Sequence, residues 1–301
     1  MTFKFGLVHA PLTPFANGRI DYATYGRLLD FHIAHGAEAL ALPMHAGESV
    51  SLTVVEREEL LRFAIGHVAG RVPIIAHVSE AGTAIAASLA AHAKATGAAA
   101  LIASVPYYWT PPQHMLVEHF TAIGTAGGLP FFVLNTPSEM ADVEIASKSV
   151  VDLIGKLPNF AGLIDTSLDW QYMIEVVTVA RAENPDFQFV SGTEYMISAS
   201  AIGATGLLSP LASLAPRLVS NLYRACRAEN YVAARPMQED AAILFRLMRD
   251  SGVAGLKAGA AAQGRDCGDP RPPLVTLRDG SGLQASMAQA RSLAAEPRGW
   301  A

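Results

Sequence analysis

The sequence predicts an α/β protein: a (β/α)8 TIM barrel over residues 1–225, followed by a C-terminal helical appendix over 226–301. Three observations carry this prediction. Eight short apolar runs recur, each of strand length; the segments between them mostly show helical spacing; and 301 residues hold eight β/α units, which need about 250, with a remainder. The runs are apolar without alternation, the mark of strands covered on both faces, as in a parallel sheet.

The first run is Phe5–His9. Tyr22–Ala34 follows as a helix, with Tyr25, Leu28, Leu29 and His32 on one stripe. Glu38–Leu42 is the second run, and Glu56–Val68 is a helix carrying Leu60, Leu61, Phe63, Ala64 and Val68. The remaining runs are Val72–Val78, Ala98–Val105, Pro130–Leu134, Phe160–Ile164, Phe187–Val190 and Thr205–Leu208. Gly203-Ala204-Thr205-Gly206 lacks the spacing and lysine of a phosphate loop and reads as a tight turn entering the eighth strand. Past residue 225 the chain is rich in Ala, Arg and Leu to about 263, breaks at Gly264–Pro273, and ends in a helical stretch, Gly282–Ala295.

Composition narrows the function. The chain is 51% hydrophobic and 16% charged with a net charge of −5, so it buries a large core and offers no clustered basic surface for nucleic acid. Cys226 and Cys267 are too few for a disulfide framework and read as two buried thiols. The opening Met-Thr-Phe-Lys-Phe-Gly lacks a basic leader with a small-residue cleavage site, and no uncharged apolar run reaches about 18 residues. The expectation is a soluble cytoplasmic protein with a small-molecule substrate and no membrane or nucleic-acid partner.

In such a barrel the chemistry sits at the C-terminal ends of the strands. Those ends carry a resemblance. Gly6-Leu7-Val8-His9-Ala10-Pro11-Leu12-Thr13-Pro14-Phe15 and Gly18-Arg19-Ile20-Asp21 are followed in order by Ala46-Gly47-Glu48-Ser49, Glu56-Arg57, Pro106-Tyr107-Tyr108, Asn135-Thr136-Pro137, Ser191-Gly192, Gly203-Ala204-Thr205-Gly206 and Arg271-Pro272-Pro273-Leu274. The ordered set resembles the dihydrodipicolinate synthase and N-acetylneuraminate lyase family over nearly the whole chain. The resemblance implies a (β/α)8 barrel with a helical C-terminal region, a homo-oligomer assembled as a dimer of dimers, and aldolase, lyase or dehydratase chemistry on pyruvate or other 2-oxo acids.

The family's reaction rests on a lysine at the end of the sixth strand, which condenses with the 2-oxo carbonyl so that the protonated imine draws electrons. The corresponding run here is Asn159-Phe160-Ala161-Gly162-Leu163-Ile164-Asp165-Thr166, which puts Ile164 at that position. The chain has only five lysines, Lys4, Lys94, Lys148, Lys156 and Lys257, and none falls at a strand end where it substitutes. Three more chemistry-bearing positions differ: Leu134 stands for the proton-relay tyrosine, His45 and Ala46 for the two threonines of the substrate loop, and Glu139 for a carboxylate-guiding arginine. Gly47, Glu48, Tyr107, Tyr108, Asn135, Gly192 and Leu208 match the family. The resemblance implies that Tyr108 reaches across a dimer interface and that Glu48, Glu56 and Arg57 organise loops.

A function altered on an old scaffold follows. His45, His77 and Asp165 are the catalytic candidates, since an imidazole titrates near neutrality and serves as acid or base. Ala46, Gly47, Tyr107, Tyr108, Asn135, Glu139, Ile164, Gly192, Glu194 and Leu208 are the substrate-binding candidates. Two histidines and two carboxylates have the donor types for a divalent cation, but they come from separate strands without an H-E-x-x-H spacing, so no metal or other cofactor is expected. His9 reads as a packed ring, and His32, His35, His67, His92, His114 and His119 as solvated or half-packed rings on helices. Trp109-Thr110-Pro111-Pro112 extends the tyrosine pair into a stiffened loop that favours a subunit interface. The expected activity is a lyase of aldolase, hydratase or dehydratase type working without a lysine imine on a small carbonyl or hydroxy compound. The alternatives are a non-catalytic small-molecule-binding pseudoenzyme and an orthodox 4-hydroxy-tetrahydrodipicolinate synthase.

Overall fold

The computed structural model describes residues 3–277 and 281–300. Its strands are β1 (Leu7–His9), β2 (Phe15–Ala16), β3 (Arg19–Ile20), β4 (Ala39–Leu42), β5 (Ile74–His77), β6 (Ala100–Ser104), β7 (Phe131–Asn135), β8 (Phe160–Asp165), β9 (Gln188–Ser191) and β10 (Gly206–Ser209). Eight of them close into a parallel barrel in the order β1-β10-β9-β8-β7-β6-β5-β4. All eight predicted runs are strands of this barrel. β7 to β10 each run one residue further than the apolar pattern, to Asn135, Asp165, Ser191 and Ser209. The ladder is made by backbone, so it continues under polar side chains: Thr166 N–H donates to Asn135 O and Gly192 N–H to Asp165 O. The β2–β3 hairpin, unforeseen in the sequence, turns through Asn17 and Gly18, both at positive φ, as a two-residue hairpin turn requires.

The helices are α1 (Tyr22–Ala34), α2 (Val54–Val68), α3 (Thr83–Thr96), α4 (Gln113–Gly127), α5 (Ser147–Lys156), α6 (Trp170–Glu183), α7 (Met196–Ala201), α8 (Pro216–Arg227), α9 (Tyr231–Ala262) and α10 (Ser281–Gln289), with a 3-10 turn at Arg291–Ala295. α2 starts two residues before the apolar pattern because Thr53 and Glu56 form a capping box, each side chain bonded to the other's backbone N–H. None of the described helices is long and apolar enough to cross a membrane.

Two compact units divide the chain. The first comprises the described residues of Met1–Gly6, Ile74–Thr193 and Ser198–Leu207. It pairs β5 through β9 in succession, with His77 opposite Ile102, Ser104 opposite Leu134, Leu134 opposite Ile164 and Ile164 opposite Val190. Phe131, Phe160 and Phe187 pack in succession in its core, the first two rings tilted against each other and the last two T-shaped. A Cβ on Gly162 would lie 2.1 Å from Gln188 O, so only glycine lets β8 and β9 approach this closely.

The second unit comprises the described residues of Leu7–Pro73, Glu194–Ile197 and Leu208–Ala301. Leu12, Leu28, Phe31, Ala46, Val253, Leu256, Ala260 and Cys267 form one buried cluster. Both cysteines are free and buried, as expected. α9 is interrupted at Gly252, whose φ of 58° and ψ of −148° leave the helical region. Arg265 is wholly buried and bonds the carbonyls of Leu214 and Pro297 with its guanidinium over the Phe31 ring.

Two of the helical histidines are more enclosed than the sequence suggested. His32 is wholly buried, its Nδ1 3.1 Å from Nδ1 of the buried His9, because the stripe that turns Tyr25, Leu28 and Leu29 inward turns His32 inward too. His119 is also buried, bonded to Thr83 Oγ1. His9 is a packed ring, as expected.

Candidate functional site

The strand ends of the first unit bring several candidates onto one surface. Residues directly opposite each other on paired strands share a face, and every second residue along a strand returns to it. The register therefore places His77, Ile102, Ser104, Leu134, Ile164 and Val190 on one face. Phe131 and Leu101 point the other way: Phe131 meets Phe120 of α4, and Leu101 lies against Gly127 of α4. The face of His77, Leu134 and Ile164 is thus the one turned away from the helices.

His77 ends β5 and is 8% exposed. Ser79, two residues on, returns to the same side and sets its Oγ 2.6 Å from His77 Nε2. Ser79 Oγ also accepts the Ser104 N–H at 2.7 Å, so two strand ends fix the hydroxyl that holds the imidazole. Sequence reasoning named His77 but not Ser79; the signal was a serine at i+2 from a strand-end histidine. Close by in the chain, Tyr107 donates its hydroxyl to Glu80 Oε2 at 2.8 Å. Leu134 and Ile164 are buried beside each other, and β7, β8 and β9 contain no lysine.

Asp165 lies on the opposite, helix-facing side of β8, because it is one residue from Ile164. Asn135 Nδ2 donates to its Oδ1 at 2.7 Å, Ser167 Oγ to its Oδ2 at 2.8 Å, and Asn135 Oδ1 accepts the Ile145 N–H. Burial raises the carboxyl above the usual aspartate range, against the pull of these donors. Burial, then the charge of Asp165, also raises Glu144, and the Tyr172 hydroxyl donates to Ile145 O. Glu144 and Tyr172 were not foreseen, since they reach Asp165 only through the fold. Gly192 closes this end: a Cβ there would come 2.5 Å from Thr166 Cγ2 and 3.0 Å from Asp165 O. Glu139 is exposed in the turn Pro137–Glu139. Tyr108 is fully exposed with a φ of 84°, and Trp109 is 46% exposed.

The second unit holds the other candidates. His45 is exposed at the start of a 3-10 turn, His45–Gly47, whose Ala46 and Gly47 are buried. Gly47 is pinned by Thr13, which donates its hydroxyl to Gly47 O at 2.6 Å. Glu48 follows in a left-handed conformation and pairs with Lys257 of α9 at 2.7 Å, both side chains almost wholly buried. The Lys257 ammonium also donates to Asp269 O and lies over the Phe15 ring. Burial lowers its pKa, with Glu48 pulling it back up. Glu48 Oε2 accepts the Arg271 N–H, and Arg271 forks onto both oxygens of Glu56. Glu48 and Glu56 thus organise the loop, as the resemblance implied, and the last lysine is occupied in doing so. Glu194 is fully buried, accepts from Ser209 Oγ and the Leu211 N–H, and is raised by burial. Leu208 is buried in β10. Among the described residues no three His, Cys, Asp or Glu side chains converge as a metal ion would require.

The closed barrel, its helical C-terminal region and the strand-end loops define the class. Residues 4–290 match the model of the dihydrodipicolinate synthetase family, and the chain belongs to that family. It is 32% identical over 276 residues to 4-hydroxy-tetrahydrodipicolinate synthase of Roseobacter denitrificans, covering 91% of this chain and 93% of that one. It is 31% identical over 244 residues to the synthase of Aquifex aeolicus, covering 81% and 82%. The crystal structure of dihydrodipicolinate synthase from Aquifex aeolicus superimposes with a TM-score of 0.91 at 28% identity, covering 98% of this chain and 99% of that chain. The 4-hydroxy-tetrahydrodipicolinate synthase of Methylacidiphilum fumariolicum SolV gives 0.91 at 28%, covering 97% of each.

Proposed function

We propose that the chain is a lyase of this family, of aldolase, hydratase or dehydratase type, that acts on a small carbonyl or hydroxy compound without a lysine imine. The observation that carries the reading is the face shared by Ile164, Leu134 and His77. Where the resemblance calls for a lysine and a tyrosine there are two aliphatic side chains, and the titratable group on that face is an imidazole held by Ser79. In a dehydration, an imidazole in this place takes the proton from the carbon next to the carbonyl and returns it to the departing hydroxyl, so that water leaves and the ring ends as it began. His77 is the proton-transfer residue in this reading. Asp165, on the helix side of β8, positions β7 and β8 through Asn135.

Tyr107, Gly192 and Glu139 border the substrate in the same reading, and Tyr108 with Trp109 forms an interface in a homo-oligomeric, cytoplasmic enzyme. Incubation with pyruvate and borohydride, read by mass spectrometry, yields no covalent adduct; an adduct on any lysine overturns the imine-free claim. Proton NMR over 2-oxo acids, hydroxy acids and aldehydes detects substrate depletion at catalytic protein concentration. His77→Gln lowers that turnover by about 10²–10⁴-fold with the fold intact, and unchanged turnover removes His77 from the mechanism. Affinity without turnover across the panel means a binding protein, and condensation of pyruvate with aspartate semialdehyde means the orthodox synthase.

A further inference from the structure

A cavity of about 370 Å³ opens in the second unit, with Gln263, Met287, Ala290, Arg291, Leu293 and Arg298 in its lining. Its size falls within the range of small-molecule sites. The walls are held in place from outside the cavity. Asp240 of α9 accepts the N–H groups of Arg291 and Ser292 and the Ser292 hydroxyl. Glu296 accepts the N–H groups of Arg217 and Leu218 at the start of α8, with its two oxygens at 2.9 and 2.7 Å. Gln263 O accepts the Gly299 N–H, and Arg265 bonds the carbonyls of Pro297 and Gly299. The backbone at Arg291, Ser292 and Gly299, beside the opening, is therefore fixed before anything binds.

Three features of the lining set the chemistry. Among the described residues, no carboxylate pairs with the guanidinium of Arg291 or Arg298, although the chain carries a net charge of −5. Gln263 is 4% exposed, and its Oε1 is buried without a hydrogen bond among the described residues. Its terminal torsion is soft and broad, so a small turn of the carboxamide offers that oxygen to a donor. The rest of the lining, Met287, Ala290 and Leu293 among it, is apolar.

We infer that this cavity binds a small organic carboxylate that carries an apolar branch and an N–H or O–H donor: the carboxylate on Arg291 and Arg298, the donor on Gln263, the branch against Met287 and Leu293. Guanidinium groups suit a carboxylate because their paired N–H donors match its two oxygens. An unsatisfied buried acceptor favours a ligand with a donor over one without, since the acceptor otherwise stays unpaired.

The test is isothermal titration of the full chain with N-acetyl-L-leucine and with 4-methyl-2-hydroxyvalerate, which share the carboxylate, the branch and a donor. N-acetyl-L-leucinamide, which lacks the charge, is the control. At least one acid binds saturably in the millimolar range or tighter, and the amide at least tenfold more weakly. The double variant Arg291→Glu/Arg298→Glu, whose two changes are at exposed positions, keeps the parent Tm and loses affinity at least tenfold. Gln263→Leu, checked for its Tm, weakens binding while leaving the charge in place. Absence of saturable binding by both acids, equal affinity for acid and amide, or affinity that survives the double charge reversal overturns the assignment.

Discussion

A buried imidazole pair makes the protein's stability depend on acid. His9 and His32 are wholly enclosed with their Nδ1 atoms 3.1 Å apart. Burial, then His35, lowers His9 to about 3; burial, then His9 and Arg265, lowers His32 well below the ordinary value. In the unfolded chain both rings take up a proton near pH 6.5, whereas in the folded chain they stay neutral. Below pH 6.5 the unfolded state therefore binds more protons, and stability falls with falling pH, by about 1.4 kcal/mol per pH unit for each ring. Raised carboxyls such as Asp165 and Glu194 bend the curve the other way through the acid range, so the histidine contribution is read by difference. His9→Gln flattens the slope of unfolding free energy between pH 6.5 and 5 by about that amount in urea titrations. An unchanged slope means that His9 is protonated in the folded state.

Among the elements, α9 depends on a residue that leaves the helix. Gly252 has a φ and ψ open to glycine almost alone, and nothing lies within 4 Å of where its Cβ would be. Gly252→Ala therefore destabilises by conformational strain and not by a clash, by about 1–3 kcal/mol. Gly66, exposed within α2 and equally unobstructed, behaves oppositely: Gly66→Ala stabilises by about 0.5–1 kcal/mol. Thermal or chemical denaturation of the two variants checks both signs.

The elements were also what the sequence revealed best. An apolar run such as Ala98–Val105 contains β6, and the stripe Tyr25, Leu28, Leu29 and His32 marks α1 to the residue. Periodicity reports which side of an element is buried, and that is a local property. The pairing of Glu48 with Lys257, and the repulsion between Asp165 and Glu144, join residues that no period relates. The face of His77 became apparent only once the register of four strands was known. The Gly252 break was missed because the flanking Ala, Leu and Val read through it as one helix.

For the whole molecule, the fully solvated Tyr108 at a φ of 84° is unfavourable for a lone chain. A left-handed backbone costs a non-glycine residue about 1–2 kcal/mol, and an exposed aromatic beside the half-exposed Trp109 suits burial in a contact between copies. In the assembled enzyme proposed above, Tyr108→Asp shifts sedimentation from the oligomer towards the monomer at micromolar concentration and leaves the circular dichroism unchanged. A species of unaltered mass places the interface elsewhere.

The Glu48–Lys257 pair gives the protein a timetable. The second unit draws on residues 7–73 and on the last third of the chain, while most of the first unit is one continuous stretch between them. On a ribosome adding about 5–20 residues per second, Glu48 emerges roughly 10–40 s before the lysine that neutralises it. Throughout that interval the loop carrying His45 waits for an anchor still being synthesised, while strands β5 to β9 can already pair with one another in succession. Synthesis thus completes the His77 face first, and the His45 loop settles only when the polypeptide is nearly finished.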